Sequence, residues 1–213
     1  MRKMLFPLFL FLIALARPLP AFAGAYDDIL FAARDNRTEV VVDLVKRGMD
    51  ANTSDRSGTT LLMFAARNSN EQLLEFLLSK RANILKQNKY GDTAVGLAAL
   101  NGNLPMVRRM VAAGANVASR GWNALHYAAF NGHIEVVRFL VGNGAVLDLP
   151  APNRQTALML AAKNGHKDVV KVLIDADADM DLEDAAGNTA LTLAVKAGNS
   201  EIADYLRSEG AVE

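Results

Sequence analysis

Apolar residues recur along the chain in two alternating patterns. A block ending in two small residues, as in Ala124-Leu125-His126-Tyr127-Ala128-Ala129, is followed after a short polar break by a stripe such as Val136, Val137, Leu140 and Val141. That i, i+1, i+4, i+5 spacing is one face of a helix. The small-pair block aligns five times, as TTLLMFAARNSN from Thr59, DTAVGLAALNGN from Asp92, WNALHYAAFNGH from Trp122, QTALMLAAKNGH from Gln155 and NTALTLAVKAGN from Asn188. A weaker copy, DDILFAARDNRT, begins at Asp27. The first small residues fall at Ala32, Ala65, Ala98, Ala128, Ala161 and Ala194, with spacings of 33, 33, 30, 33 and 33. A Gly, Asn or Ser follows each pair, at Asn36, Ser69, Gly102, Gly132, Gly165 and Gly198. Each period predicts a helix, a tight turn, a second helix and a polar connection. Residues 24–213 thus form an all-α array of about six units, at 24–56, 57–89, 90–119, 120–152, 153–185 and 186–213.

A different apolar run precedes the array. Arg2 and Lys3 are followed by uncharged residues from Met4 to Ala16, then by Arg17, Pro18, Pro20 and the small-residue signature Ala21-Phe22-Ala23. The run is shorter than the roughly 20 residues a spanning helix needs, and the order of regions is that of a secretory signal peptide. Residues 1–23 are therefore expected to be removed, leaving no membrane insertion and a periplasmic location, with full secretion as the alternative. The whole chain balances 23 basic against 23 acidic residues. Without Arg2, Lys3 and Arg17, 20 basic residues face 23 acidic ones, a net charge of −3 that argues against nucleic acid as a partner. Cysteine is absent, which excludes disulfide scaffolds and cysteine-based zinc sites or nucleophiles.

The repeat resembles the ankyrin-repeat family in its 33-residue period and in matches to the family's T-P-L-H-x-A motif. The fourth unit, GWNALHYAAFNGHIEVVRFLVGNGA from Gly121 to Ala145, is closest, and the resemblance extends from about Asp27 to Glu213. The motif proline is replaced throughout, by Ala94, Ala124, Ala157 and Ala190 in four units, and the motif histidine survives only as His126. The family implies an ankyrin-repeat solenoid of helix-turn-helix units with finger-like connections, in which that imidazole links neighbouring turns. Glycine ends the second helix at Gly48, Gly114, Gly144 and Gly210, but Arg81 and Asp177 stand there in two units. A left-handed residue is required after such a helix, so strain or a remodelled turn is expected at Arg81. Arg207 at a position elsewhere apolar, and Asp27-Asp28 at the start, suggest polar caps at both ends.

Candidate chemistry is sparse. No G-x-S-x-G, H-E-x-x-H, P-loop or G-x-G-x-x-G motif occurs, so no catalytic residues, cofactor or metal ligands are assigned. His133 and His166 are separated by the repeat period and read as structural. Asp175, Asp177, Asp179, Asp181, Glu183 and Asp184 crowd the connection at 175–184. Calcium is conceivable there, although the EF-hand template fails at Met180, where glycine is required, and at Ala186, where glutamate is required. Lys80, Arg81, Lys86 and Lys89 make an earlier connection basic, a polarity that would orient a charged partner.

In the ankyrin family the connections and first helices form a concave binding face. By resemblance, the partner-binding positions are Asp92, Leu100 and Asn101 in the third unit, Trp122, Phe130 and Asn131 in the fourth, and Gln155, Lys163 and Asn164 in the fifth. Tyr90 in the preceding finger and Arg120 beside the tryptophan complete the set. The 30-residue spacing shortens the connection at about Val117 to Gly121, next to the chain's one tryptophan. Either the low wall exposes Trp122 to a partner, or the indole folds over the short turn. The expected function is a non-catalytic module, a monomer gripping a folded partner such as an envelope enzyme. A calcium- or ligand-responsive accessory protein and a secreted effector binding a host protein are the alternatives.

Overall fold

The computed structural model describes residues 23–119 and 121–212. The leader up to Phe22 and the expected contact residue Arg120 lie outside the described residues. Among the described residues, twelve helices form six consecutive pairs. They are α1 (Ala23–Arg34) with α2 (Thr38–Lys46), α3 (Leu61–Arg67) with α4 (Glu71–Ser79), and α5 (Ala94–Leu100) with α6 (Leu104–Ala112). α7 (Ala124–Phe130) pairs with α8 (Ile134–Gly142), α9 (Ala157–Lys163) with α10 (Lys167–Ile174), and α11 (Ala190–Ala197) with α12 (Ser200–Ser208). Ser54 and Thr60 form an isolated antiparallel bridge.

The first helix of each pair stacks on the next, from α1 through α3, α5, α7 and α9 to α11, while the second helices form a looser outer layer. Small side chains explain the difference. Ala65, Ala66, Ala98, Ala99, Ala128, Ala129, Ala161 and Ala162 are all buried at the first-helix seams, where short side chains let backbones approach. The second helices instead contribute stripes such as Leu73, Leu74 and Leu77, or Val136, Val137 and Leu140. Their burial joins one apolar core running the length of the array. No single pair could enclose such a core alone.

Local chemistry starts the first helix at the same place in the repeat in the last five units. Thr60, Thr93, Asn123, Thr156 and Thr189 cap α3, α5, α7, α9 and α11, each accepting a hydrogen bond from a backbone N–H three residues on. Each such cap contributes about 1 kcal/mol. The turn after α4 keeps the form of its glycine counterparts. Arg81 adopts φ 58°, its N–H reaches the Leu78 carbonyl at 2.9 Å, and the Ala82 N–H reaches Leu77 at 3.0 Å. Gly114 and Ala115 make the equivalent bonds to Val111 and Met110 at 2.9 and 3.0 Å. Arg81 therefore carries the strain itself. The polar cap expected at the start is incomplete, since Phe31 and Val40 are exposed, with the Arg37 guanidinium 5.1 Å from the Phe31 ring.

Candidate protein-binding face

Most connections end in a hairpin tied by a side chain. Asp55 Oδ1 accepts from the N–H groups of Ser57 and Thr59, Asn88 Oδ1 from those of Tyr90 and Asp92, and Asp184 Oδ1 from those of Ala186 and Asn188. Adjacent hairpins join through the Lys89 N–H to the Ser57 carbonyl at 2.8 Å and the Ala185 N–H to the Asn153 carbonyl at 3.0 Å. The short connection after α6 has no such link to either neighbour among the described residues. Three residues shorter than its counterparts, it interrupts the row of joined hairpins among the described residues and leaves a break between two pairs of fingers. A cleft of about 240 Å³ lined by Ile84, Leu85, Gln87, Thr93, Asn116 and Ser119 lies at its base. The Ser119 hydroxyl is buried there without a hydrogen-bond partner among the described residues.

Trp122 follows the break. Its indole is partly buried along α7, 5.2 Å from the Tyr127 ring, 6.2 Å from His126 and 5.5 Å edge-on to Phe130. Each such aromatic pair is worth about 0.5–1.5 kcal/mol beyond its buried area. The indole therefore both packs on its own helix and keeps part of its surface open. Phe130 is 39% exposed beside it. Tyr127 anchors the group, its hydroxyl donating to Asp92 Oδ1 and its ring lying over α5 at Gly96. A Cβ at Gly96 would sit 3.3 Å from Tyr127 Cδ2, so the bare helix surface makes room for the ring. Burial, together with the hydrogen bond to and the charge of Asp92, pushes the Tyr127 phenol above its ordinary range.

Models of ankyrin repeats match residues 29–78, 72–151 and 145–212, nearly the whole described array. The chain is an ankyrin-repeat protein. No curated protein matches it. Ankyrin repeats serve as protein–protein interaction modules, and the positions expected to form the binding face can be placed on this array one by one.

Trp122, Phe130 and Asp92 come together, with Tyr127 as the residue that sequence reasoning missed. Tyr90 stands apart on its hairpin, 68% exposed with the Lys89 ammonium 4.9 Å from its ring. Leu100 is partly buried, and Lys163 is exposed at the end of α9. The amides of Asn101 and Asn131 are committed to the previous unit, donating to the Arg67 and Leu100 carbonyls at 2.7 Å in each case. Gln155 lies within the wall rather than on its surface. It is 7% exposed, accepts from Asn153 and donates to Asp184. Asn164 donates to the Leu160 carbonyl of its own helix.

The histidines of this ankyrin array hold units together in different ways. His133 and His166 donate through Nε2 to the carbonyls of Leu100 and Phe130, both at 2.9 Å. His126 closes a capping box within its own unit, its Nδ1 accepting from the Asn123 N–H, while its buried Nε2 has no partner meeting hydrogen-bond geometry. The expected link between turns is therefore a loose one, to the backbones of Gln155 and Leu149 in the next connection. Burial lowers the proton affinity of His126, opposed by the backbone of Gln155 and Leu149 in the next connection. The acidic connection does not assemble a cation site. Among the described residues no three His, Asp or Glu groups converge. Asp179 and Asp184 instead accept from the backbone N–H groups of Asp181 and Ala186. No helix among these residues is long and apolar enough to cross a membrane.

Proposed function

We propose that this ankyrin-repeat protein is exported to the periplasm as a monomer and grips one folded partner, without catalysis, on the face centred on Trp122 and Phe130. The observation that carries the reading is the aromatic group beside the break in the finger row. Large aromatic side chains that stay accessible near the centre of a face are the ones whose truncation costs an interface about 2 kcal/mol or more. Tyr127 and Asp92 hold the group in place before binding, which limits the ordering cost of association. The basic leader residues, the apolar run and Ala21-Phe22-Ala23 support export. An envelope enzyme that the protein stabilises, inhibits or shields is the partner class in view.

Fractionation of expressing cells combined with affinity capture tests both parts. The processed protein is expected in the periplasmic fraction, where it retains a partner that Trp122→Ala loses. Retention in the cytoplasm would remove the location, and equal recovery of every partner by wild type and Trp122→Ala would remove the site.

A further inference from the structure

The residue that follows the small pair in each first helix forms a row across the stack. Reading from α1 to α11, the row is Arg34, Arg67, Leu100, Phe130, Lys163 and Lys196, two cations, two apolar residues and two cations. The units are stapled at this level. Asn68 donates to the Arg34 carbonyl at 3.3 Å, Asn101 to that of Arg67 at 2.7 Å and Asn131 to that of Leu100 at 2.7 Å. His166 donates to the Phe130 carbonyl at 2.9 Å and Asn199 to that of Lys163 at 3.0 Å. The row is therefore contiguous, and its order cannot shift without breaking these bonds. All four cations are exposed, and none forms an ion pair among the described residues. Arg67 and Arg34 lie 4.9 and 6.0 Å from the Phe64 ring, and Lys196 donates to the Asn188 amide oxygen, contacts that leave the positive charges uncompensated. Asp35 pairs with Arg37 at 3.7 Å, and Asp92 accepts from Tyr127 and Asn88.

We propose that the partner docks on this row through an extended acidic segment, with carboxylates flanking an apolar centre. The proposal rests on the binding face described above and names the chemistry of what it takes. Packed helices lie about 8–10 Å apart, so successive row positions repeat at about that distance. A polyproline-II segment has 3 residues per turn and rises about 3.1 Å per residue, which places every third side chain on one face about 9 Å apart. The two periods match. Apolar side chains three residues apart would meet Leu100 and Phe130 beside Trp122, and carboxylates three residues beyond each would meet Arg67 and Lys163. Arg34 and Lys196 would extend the charged contacts outward by one further step. Exposed cations of this kind contribute mainly to steering and orientation, and their effect weakens with salt.

Trp122 is the chain's one tryptophan, so its emission reads this face directly. The test titrates the protein with a peptide of about ten residues carrying glutamate at both ends and leucine at the two inner positions of the three-residue register. Proline and serine fill the other positions. A lysine-ended peptide and a peptide with the same residues out of register serve as comparisons. Saturable change with the glutamate peptide is expected, weakening about tenfold when salt rises from low to high ionic strength. Arg67→Glu with Lys163→Glu should lose that peptide and gain the lysine-ended one, and Arg67→Ala with Lys163→Ala should bind both weakly. Far-UV circular dichroism of the variants separates misfolding from lost binding. Equal or tighter binding of the lysine-ended or out-of-register peptide would overturn the proposal while leaving a binding face at Trp122. No response to any peptide up to millimolar concentration would overturn it as well, and the Trp122→Ala capture experiment then judges the face independently.

Discussion

Replacing Arg81 with glycine should stabilise the protein. Arg81 holds φ 58°, and a non-glycine residue in the left-handed region costs about 1–2 kcal/mol. Glycine forfeits about 0.5–1 kcal/mol of backbone entropy on folding, so the net gain is about 0.5–1 kcal/mol. Little else changes, because the exposed Arg81 side chain makes no ion pair among the described residues and the turn already has the bonding of the one at Gly114. Arg154, at φ 62° on the tip of the fourth connection, presents the same opportunity. The two sites share no partners, so Arg81→Gly with Arg154→Gly should gain about 1–2 kcal/mol. Asp177, at φ 65°, should yield less because aspartate tolerates this conformation better. Urea unfolding followed by Trp122 emission measures the midpoints, with Gly114→Arg as the reverse substitution. An unchanged or lower midpoint for Arg81→Gly, together with a silent Gly114→Arg, would refute the assignment of strain.

Three further outcomes follow from the site. Ser119→Ala removes a buried hydroxyl with no partner among the described residues and should leave stability unchanged or raise it by up to about 1 kcal/mol in the same urea assay; a clear loss would mean the hydroxyl is satisfied in solution. Gly96→Val would drive a branched side chain into Tyr127, whose Cδ2 would lie only 3.3 Å from the new Cβ, and should cost about 1–3 kcal/mol with a change in native Trp122 emission; an unchanged midpoint and spectrum would mean the ring does not rest on α5. Burial pushes the His126 imidazole below its ordinary range, so its folded proton affinity lies below the unfolded one. Its contribution is complete above the unfolded pKa of about 6.5 and is lost as pH falls from there toward the lower folded value. Denaturation midpoints at pH 7.5 and pH 5 should therefore differ more for wild type than for His126→Gln, and equal differences would contradict the burial argument.

Periodicity made the array legible because each unit repeats the same packing problem, and the small pairs mark where first helices meet. The break beside Trp122 was likewise visible as three missing residues. Tyr127 was not, because it occupies the helix position held by Phe64, Leu97, Leu160 and Leu193, all core residues, and so reads as core. Gly96 carried the missed signal: a bare position inside α5 implies a close neighbour, here the tyrosine ring. Gln155 reads as surface from the family resemblance, yet the hairpin turns its amide inward to Asn153 and Asp184. Arg154 shows the same limit, since a left-handed tip accepts arginine at a cost that no local pattern announces. The acidic connection illustrates the converse, with carboxylates adjacent in sequence spending their oxygens on neighbouring backbone N–H groups rather than on one shared point.

Site-specific photo-crosslinking in living cells tests most directly whether the face beside Trp122 is where this protein meets its partner. A photoreactive amino acid placed at Phe130, on the proposed face, is compared with one at Arg138, exposed on α8 in the outer layer. One discrete protein adduct from position 130 and none from position 138 is the predicted result. An adduct from position 138 with none from position 130 would put the partner on the outer helices and contradict the reading of the aromatic face.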